Sequence, residues 1–247
     1  MRYFVPDICA ADEAPPETTA QDKFGGIAFG LSQDKWPKCN DCGRSQSLLA
    51  QLAHDRTRLD LGRTGRVLFV FQCDHDPGMC ATWDAHSGAN ACIIVEPEDL
   101  GQRQVELPDD QPTVENEVRV LAWIEKDDGL PTSLASAFFS SDGLNSLSED
   151  VRRMVTWGTR LGGVPRWIQS PEEGPGSDWK YVGQLDSTYS FLRPPKILHT
   201  WISDDPDRWE GRTHMAQGPN FGDGGIAYLF LQQQGGTPRG FLFWQCL

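Results

Sequence analysis

Hydrophobic residues along this chain come in short runs separated by turn residues, a pattern that favours strands. Val67 to Gln72 and Ala91 to Val95 are rich in β-branched and aromatic residues, as are Ala227 to Gln232 and Phe241 to Gln245. Each pair is joined across glycine, so both read as hairpins. Leu48-Leu49-Ala50-Gln51-Leu52 and Tyr181-Val182-Gly183-Gln184-Leu185 read as further strands. Regular alternation would put Leu49 and Gln51 on one face and Leu48, Ala50 and Leu52 on the other. Val182 and Gln184 would likewise face away from Tyr181, Gly183 and Leu185. Val118 to Ile124 adds a strand before the Asp127-Asp128-Gly129 turn. Helix is scarce: the best candidate is capped by Ser148, has Glu149 and Asp150 in its first turn, and runs through Val151 and Met154 towards Trp157.

The runs repeat in order. Gly25-Gly26-Ile27-Ala28 matches Gly162-Gly163-Val164-Pro165, each preceded by a basic and an apolar residue, and Trp36 with Gln51-Leu52 matches Trp179 with Gln184-Leu185. The predicted fold class is therefore mainly β (α+β), with two tandem related β-rich lobes from an internal duplication. The expected divisions are an N-terminal extension (1–22), a first β-rich unit (23–104), an acidic connecting segment with a strand and a short helix (105–157), and a second unit without cysteine knuckle (158–247). Segments 10–22, 101–113 and 203–224 read as loops, the last long enough to be functional.

Composition narrows the function. At 247 residues the chain can bury a real core, and 38% hydrophobic with 23% charged residues is a globular balance. The net charge of −13 divides into −5 for residues 1–104, −9 for 105–150 and +1 for 151–247, so the acidity is concentrated around Glu106, Asp109, Asp110, Glu115 and Glu117. No concentrated basic run offers a nucleic-acid surface, while a cationic partner protein is favoured. No stretch reaches the roughly 20 apolar residues that span a bilayer, and the acidic, proline-rich start does not read as a signal peptide. The expected place is the cytoplasm, where seven cysteines, four of them grouped, suit a metal better than disulfides.

The grouped cysteines carry the most specific signal. Cys39-Asn-Asp-Cys42-Gly43 has the spacing that lets two thiolates converge on one tetrahedral ion, with Gly43 relieving the turn. Cys73 ends a strand, and Cys80 follows across the turn sequence Asp74 to Met79. Four thiolates would close the shell of one structural Zn²⁺ and leave no open position for substrate. His75 or His86 could replace one cysteine; redox pairing of Cys39 with Cys42 and inert buried thiols are the other readings. Cys9, Cys92 and Cys246 lie outside the group.

Trp36 to Gly43, Leu49-Ala50-Gln51-Leu52, and Phe69-Val70-Phe71-Gln72-Cys73 with Cys80 and Trp83 together resemble the YwqG-like family of bacterial proteins of unknown function. Its cysteine-containing members are similar to the programmed-cell-death-2 family. Leu161-Gly162-Gly163-Val164-Pro165-Arg166-Trp167-Ile168-Gln169 resembles that family's recurrent Gly-Gly-x-Pro-x-Trp-x-Gln segment, although Ala28 stands in the first unit where the second has Pro165. The resemblance, from about residue 23 onward, implies a duplicated β-rich fold and, through the eukaryotic relatives, chaperoning of a basic ribosomal protein.

No catalytic constellation is evident. His54, His75, His86, His199 and His214 are scattered, and neither HExxH nor Gly-x-Ser-x-Gly occurs. Phe221 to Gly225 reads as a turn. Glu172 with Glu173, and Asp204, Asp205 and Asp207, read as solvated charges, and Trp167, Trp179, Trp201 and Trp209 as core with one or two in a groove. The sequence thus points to a zinc-stabilised, noncatalytic protein-binding module, chaperone-like or toxin-neutralising, with a basic partner. The alternative is a hydrolase using the His199 to His214 loop.

Overall fold

The computed structural model describes residues 1–84, 86–171, 174–203, 214–232 and 236–247. Its strands are β1 (Arg2–Ala10), β2 (Lys23–Phe24), β3 (Ser47–Ala53), β4 (Val67–Gln72), β5 (Asn90–Val95), β6 (Val118–Asp127), β7 (Arg160–Gly162), β8 (Lys180–Asp186), β9 (Thr188–Ser190), β10 (Ile202–Ser203), β11 (Met215–Gln217), β12 (Ile226–Gln232) and β13 (Arg239–Gln245). Ten of them make one antiparallel sheet in the order β13-β12-β8-β7-β1-β6-β2-β3-β4-β5. The sheet curls until its end strands meet: β13 packs on β5, with Gly240 against Cys92 and the Asn90 side-chain amide donating to Leu242 O at 3.4 Å. The nearly closed sheet surrounds Leu52, Leu68, Val70, Leu185, Leu229 and Leu242, and the small sheet β10-β11-β9 packs Tyr189 and Ala216 into the same core. Among the described residues, no helix is long and apolar enough to cross a membrane.

The mainly β reading holds, but the strands do not part into two lobes: β2-β3-β4-β5 and β7-β8-β12-β13 are the two flanks of a single sheet. The flanks match residue by residue. Lys23 pairs with Gln51 and Phe24 with Ala50, as Arg160 pairs with Gln184 and Leu161 with Gly183. Both glutamines are buried and cross-link equivalent loops. Gln51 accepts from Phe29 N (2.8 Å) and donates to Gln21 O (2.7 Å), while Gln184 accepts from Arg166 N (3.0 Å) and donates to Gly158 O (3.0 Å). Each flank also has a bulge at the corresponding residue, Leu49 in β3 and Val182 in β8.

The bulges correct the expected faces. An extra residue reverses the alternation beyond it, so Leu49 and Leu52 share the interior while Leu48 packs outside with Phe69 and Phe71. In the other flank Val182 joins the interior and Tyr181 turns outward, its hydroxyl donating to Gln184 Oε1 at 3.1 Å. The N-terminal segment, expected to lie outside both units, supplies β1 at the centre of the sheet, between β7 and β6. Residues 105–157, expected as a connector, supply β6, a 3₁₀ stretch Thr132–Phe139, α1 (Ser141–Ser146) and α2 (Glu149–Arg153). Ser148 caps α2 by accepting from Val151 N, as its sequence position implies.

The paired glycines have left-handed backbones, with φ of 67° and 72° at Gly25 and Gly26 and 79° and 70° at Gly162 and Gly163. Their surroundings differ. A Cβ on Gly25 would lie 2.2 Å from Asn116 O, whereas one on Gly162 would lie 3.4 Å from Arg2 O. Gly162→Ala should therefore lose about 1–2 kcal/mol, the cost of a left-handed alanine, and Gly25→Ala about 1–3 kcal/mol more from the clash. Urea denaturation of the two variants measures the difference; equal losses would contradict it.

Candidate metal centre

Two loops from the β3-β4-β5 flank bring four cysteines together. The first is the knuckle before β3, closed by Gly43 N donating to Cys39 O and Cys39 N to Arg44 O, both at 2.8 Å. Gly43 has φ 73°, which lets the chain reverse within one turn. In the second loop Cys73 directly follows β4 and donates its N–H to Ala89 O at 2.8 Å, and the chain turns at Gly78 (φ 86°) to return at Cys80. The loops are tied to each other by Asn40 N to Gly88 O (3.1 Å), Ala81 N to Asp41 Oδ2 (2.8 Å) and the Gln46 amide to Gly88 O (3.1 Å).

The sulfurs of Cys39, Cys42, Cys73 and Cys80 all lie within 4.8 Å of one another, and Cys42 Sγ is 3.6 Å from Cys73 Sγ. Zinc–sulfur bonds of about 2.3 Å in a tetrahedron require sulfurs about 3.8 Å apart, so the spacing suits one ion. Cys39, Cys73 and Cys80 are buried and Cys42 faces solvent. All four thiols are free. Burial pushes Cys73 up to about 12, and burial together with the neighbouring thiols raises Cys80 further. Burial also works to raise Cys42, but hydrogen bonds from the Arg44 backbone and the other thiols outweigh it and leave Cys42 lowered. A divalent cation would supply the missing charge and stabilise the thiolates. The donor set thus fits a metal ion, which the four cysteines that the spacing singles out could hold.

The other candidates do not join them. His75 and His86 are exposed and outside the cluster, and the His86 ring lies edge-on to Phe241 at 5.0 Å. His54 Nδ1 accepts from Leu61 N at 3.0 Å. His199 Nε2 is 3.2 Å from the exposed Asp12 and its ring stacks on Trp201. His214 lines a different cleft with Thr188 and Ser190. Glu172, Glu173, Asp204, Asp205, Asp207, Trp209 and most of the 199–214 loop lie outside the described residues. The Phe221 to Gly225 segment is a turn, with Asn220 Oδ1 accepting from Gly222 N at 3.1 Å. Cys92 lies in β5, Cys9 in β1, and Cys246 just after β13.

Sequence reasoning missed an aromatic groove at the seam between β5 and β13. Trp83, His86, Phe241, Phe243 and Trp244 line it, with Asp84 among them. Trp83 is 46% exposed and meets Trp244 edge-on at 6.2 Å. Its place is tied to the metal loop: Thr82 N donates to Cys80 O at 2.7 Å, and Thr82 Oγ1 accepts from Trp244 Nε1 at 3.2 Å. The alternating aromatics of β13 were visible, but their neighbours across the seam are about 150 residues away in sequence. No protein-family model matches the chain, and no match was found among curated proteins.

Proposed function

We propose that the protein is a cytoplasmic, zinc-stabilised protein-binding module, chaperone-like or toxin-neutralising, that takes a basic partner. The observation that carries this reading is the four-cysteine cluster beside an exposed aromatic groove: four sulfurs would complete a tetrahedral shell and give the ion a structural role. The Cys80 loop positions Trp83 and Asp84 on the groove wall. Aromatic faces beside a carboxylate attract Lys and Arg side chains, and the net charge of −13 draws a basic protein towards the surface. The chaperoning of a basic ribosomal protein that the resemblance to the programmed-cell-death-2 family implies supports this role.

The test is co-purification under increasing salt. A stoichiometric basic protein should be recovered at low salt, released as salt approaches molar concentration, and lost in Trp83→Ala while zinc content is unchanged. Absence of such a protein, or binding equally strong in molar salt, contradicts the reading.

A further inference from the structure

Residues 151–171 contain four arginines, Arg152, Arg153, Arg160 and Arg166, and no carboxylate, in a chain of net charge −13. Three of them, Arg152, Arg153 and Arg166, line a cleft of about 340 Å³ between α2 and the segment after β7. Phe138, Leu144 and Trp167 supply apolar walls. The carboxylate lining it is Glu149, which pairs with Arg153.

The two flanks show how unusual this charge is. Buried Lys23, in the first flank, sits 2.9 Å from Glu17 and 3.5 Å from Glu117. Arg160 holds the matching place in the second and is 1% exposed, yet its contacts are neutral: Val164 O, Gln184 Oε1 at 3.3 Å, Thr156 Oγ1 at 3.3 Å and the Tyr3 ring at 5.3 Å. Buried cations are normally paired. Arg160 has no carboxylate among the described residues, and its charge adds to that of Arg166 in front of it. Burial, then Arg160, holds Arg166 below the usual guanidinium range. Arg166 lies over the Trp157 ring and donates to Arg152 O at 2.9 Å, leaving its buried Nε without a partner. Arg152 Nε is likewise buried and unbonded.

We propose that this cleft binds a phosphate monoester. Among the described residues the buried Nε–H groups of Arg152 and Arg166 lack partners and Arg160 lacks a carboxylate, a cationic surplus that suits a dianion with several acceptor oxygens. The phosphate would sit between Arg152 and Arg166, and Phe138 and Trp167 would cover an apolar or aromatic body. A small phosphorylated molecule and a phosphorylated side chain present the same chemistry. The site is independent of the metal and of the groove.

Calorimetric titration of the full chain with phenyl phosphate tests it, with benzoate as the monoanionic comparison and a short phosphotyrosine peptide to separate the two sources. Phenyl phosphate should bind more tightly than benzoate. Binding should weaken about tenfold or more in Arg152→Gln and in Arg166→Gln, and be unchanged in Arg63→Gln in the other flank. A peptide that binds more tightly than phenyl phosphate identifies a protein-borne phosphate, and the reverse a small molecule. Glu149→Gln, an exposed change on α2, should tighten binding about two- to fivefold by removing the competing carboxylate. No binding of phenyl phosphate to the wild-type protein, benzoate binding as tightly, or equal affinity in the arginine and Glu149 variants overturns the proposal.

Discussion

A Cys73→Ser protein should emerge without stoichiometric zinc and unfold about 6–12 °C below the wild type. The sulfur of Cys73 is buried and packs 3.6 Å from that of Cys42, so its loss opens the shell and leaves a hydroxyl that is a poor ligand for a soft site. Metal-binding free energy is coupled to folding free energy and reaches about 10 kcal/mol or more where a small domain has no other core. Here the interior around Leu52, Leu68 and Leu229 stands without the ion. The penalty is therefore confined to the two cysteine loops, and about 3 kcal/mol is a reasonable share. At about 2–4 °C per kcal/mol for a chain of this size, the shift in melting temperature follows. Chelation of the wild type should produce the same shift, and Cys246→Ser should produce neither effect because that thiol lies outside the cluster. Acidification should also release the metal, since protons compete for the thiolates. Elemental analysis of freshly reduced protein decides it: no metal in the wild type, or zinc lost in Cys246→Ser, would falsify the ligand assignment.

Much of this architecture was legible locally. β4 was read to the residue because Val-Leu-Phe-Val-Phe-Gln has no other reasonable conformation between turn signals, and it is buried on both faces. The knuckle was legible because two-residue spacing between thiols is a geometric requirement of the ion. β1 was not, because Arg-Tyr-Phe-Val-Pro-Asp mixes charge with proline, which normally demotes a run from the middle of a sheet. Proline is tolerated because β7 pairs only with Tyr3 and Phe4, and Pro6 falls beyond that stretch. The bulges at Leu49 and Val182 left no mark in the apolar pattern, since an extra aliphatic residue looks like a continuation of the run. Curling of the sheet and the seam beneath Trp83 depend on twist accumulated over ten strands, which no single segment encodes. Among the arginines the signal was an absence: the second flank keeps the buried cation but, among the described residues, none of the carboxylates that neutralise it in the first.

The buried glutamines give the second large effect. Gln51 and Gln184 are fully buried, and each ties its central strand to two loop segments through a backbone N–H and a backbone carbonyl. Leucine at either position fills a similar volume but leaves both backbone groups buried without a partner, at about 1–3 kcal/mol for each group that water cannot reach. Gln51→Leu would also release the Glu17 carboxylate, which accepts from the Gln51 amide at 3.1 Å. Gln184→Leu would remove an acceptor of Arg160, and that guanidinium has no carboxylate partner among the described residues to take its place. Each substitution should therefore lower unfolding free energy by about 3 kcal/mol, with Gln184→Leu the more damaging because it also strands a buried cation. Because the two sites lie in different flanks and share no hydrogen-bond partner, the double variant should lose close to the sum. Urea denaturation of the two single variants and the double variant measures all three values. Losses below about 0.5 kcal/mol in both single variants would mean that solvent or neighbouring groups satisfy the loops, and that the matched glutamines are not what fastens the flanks.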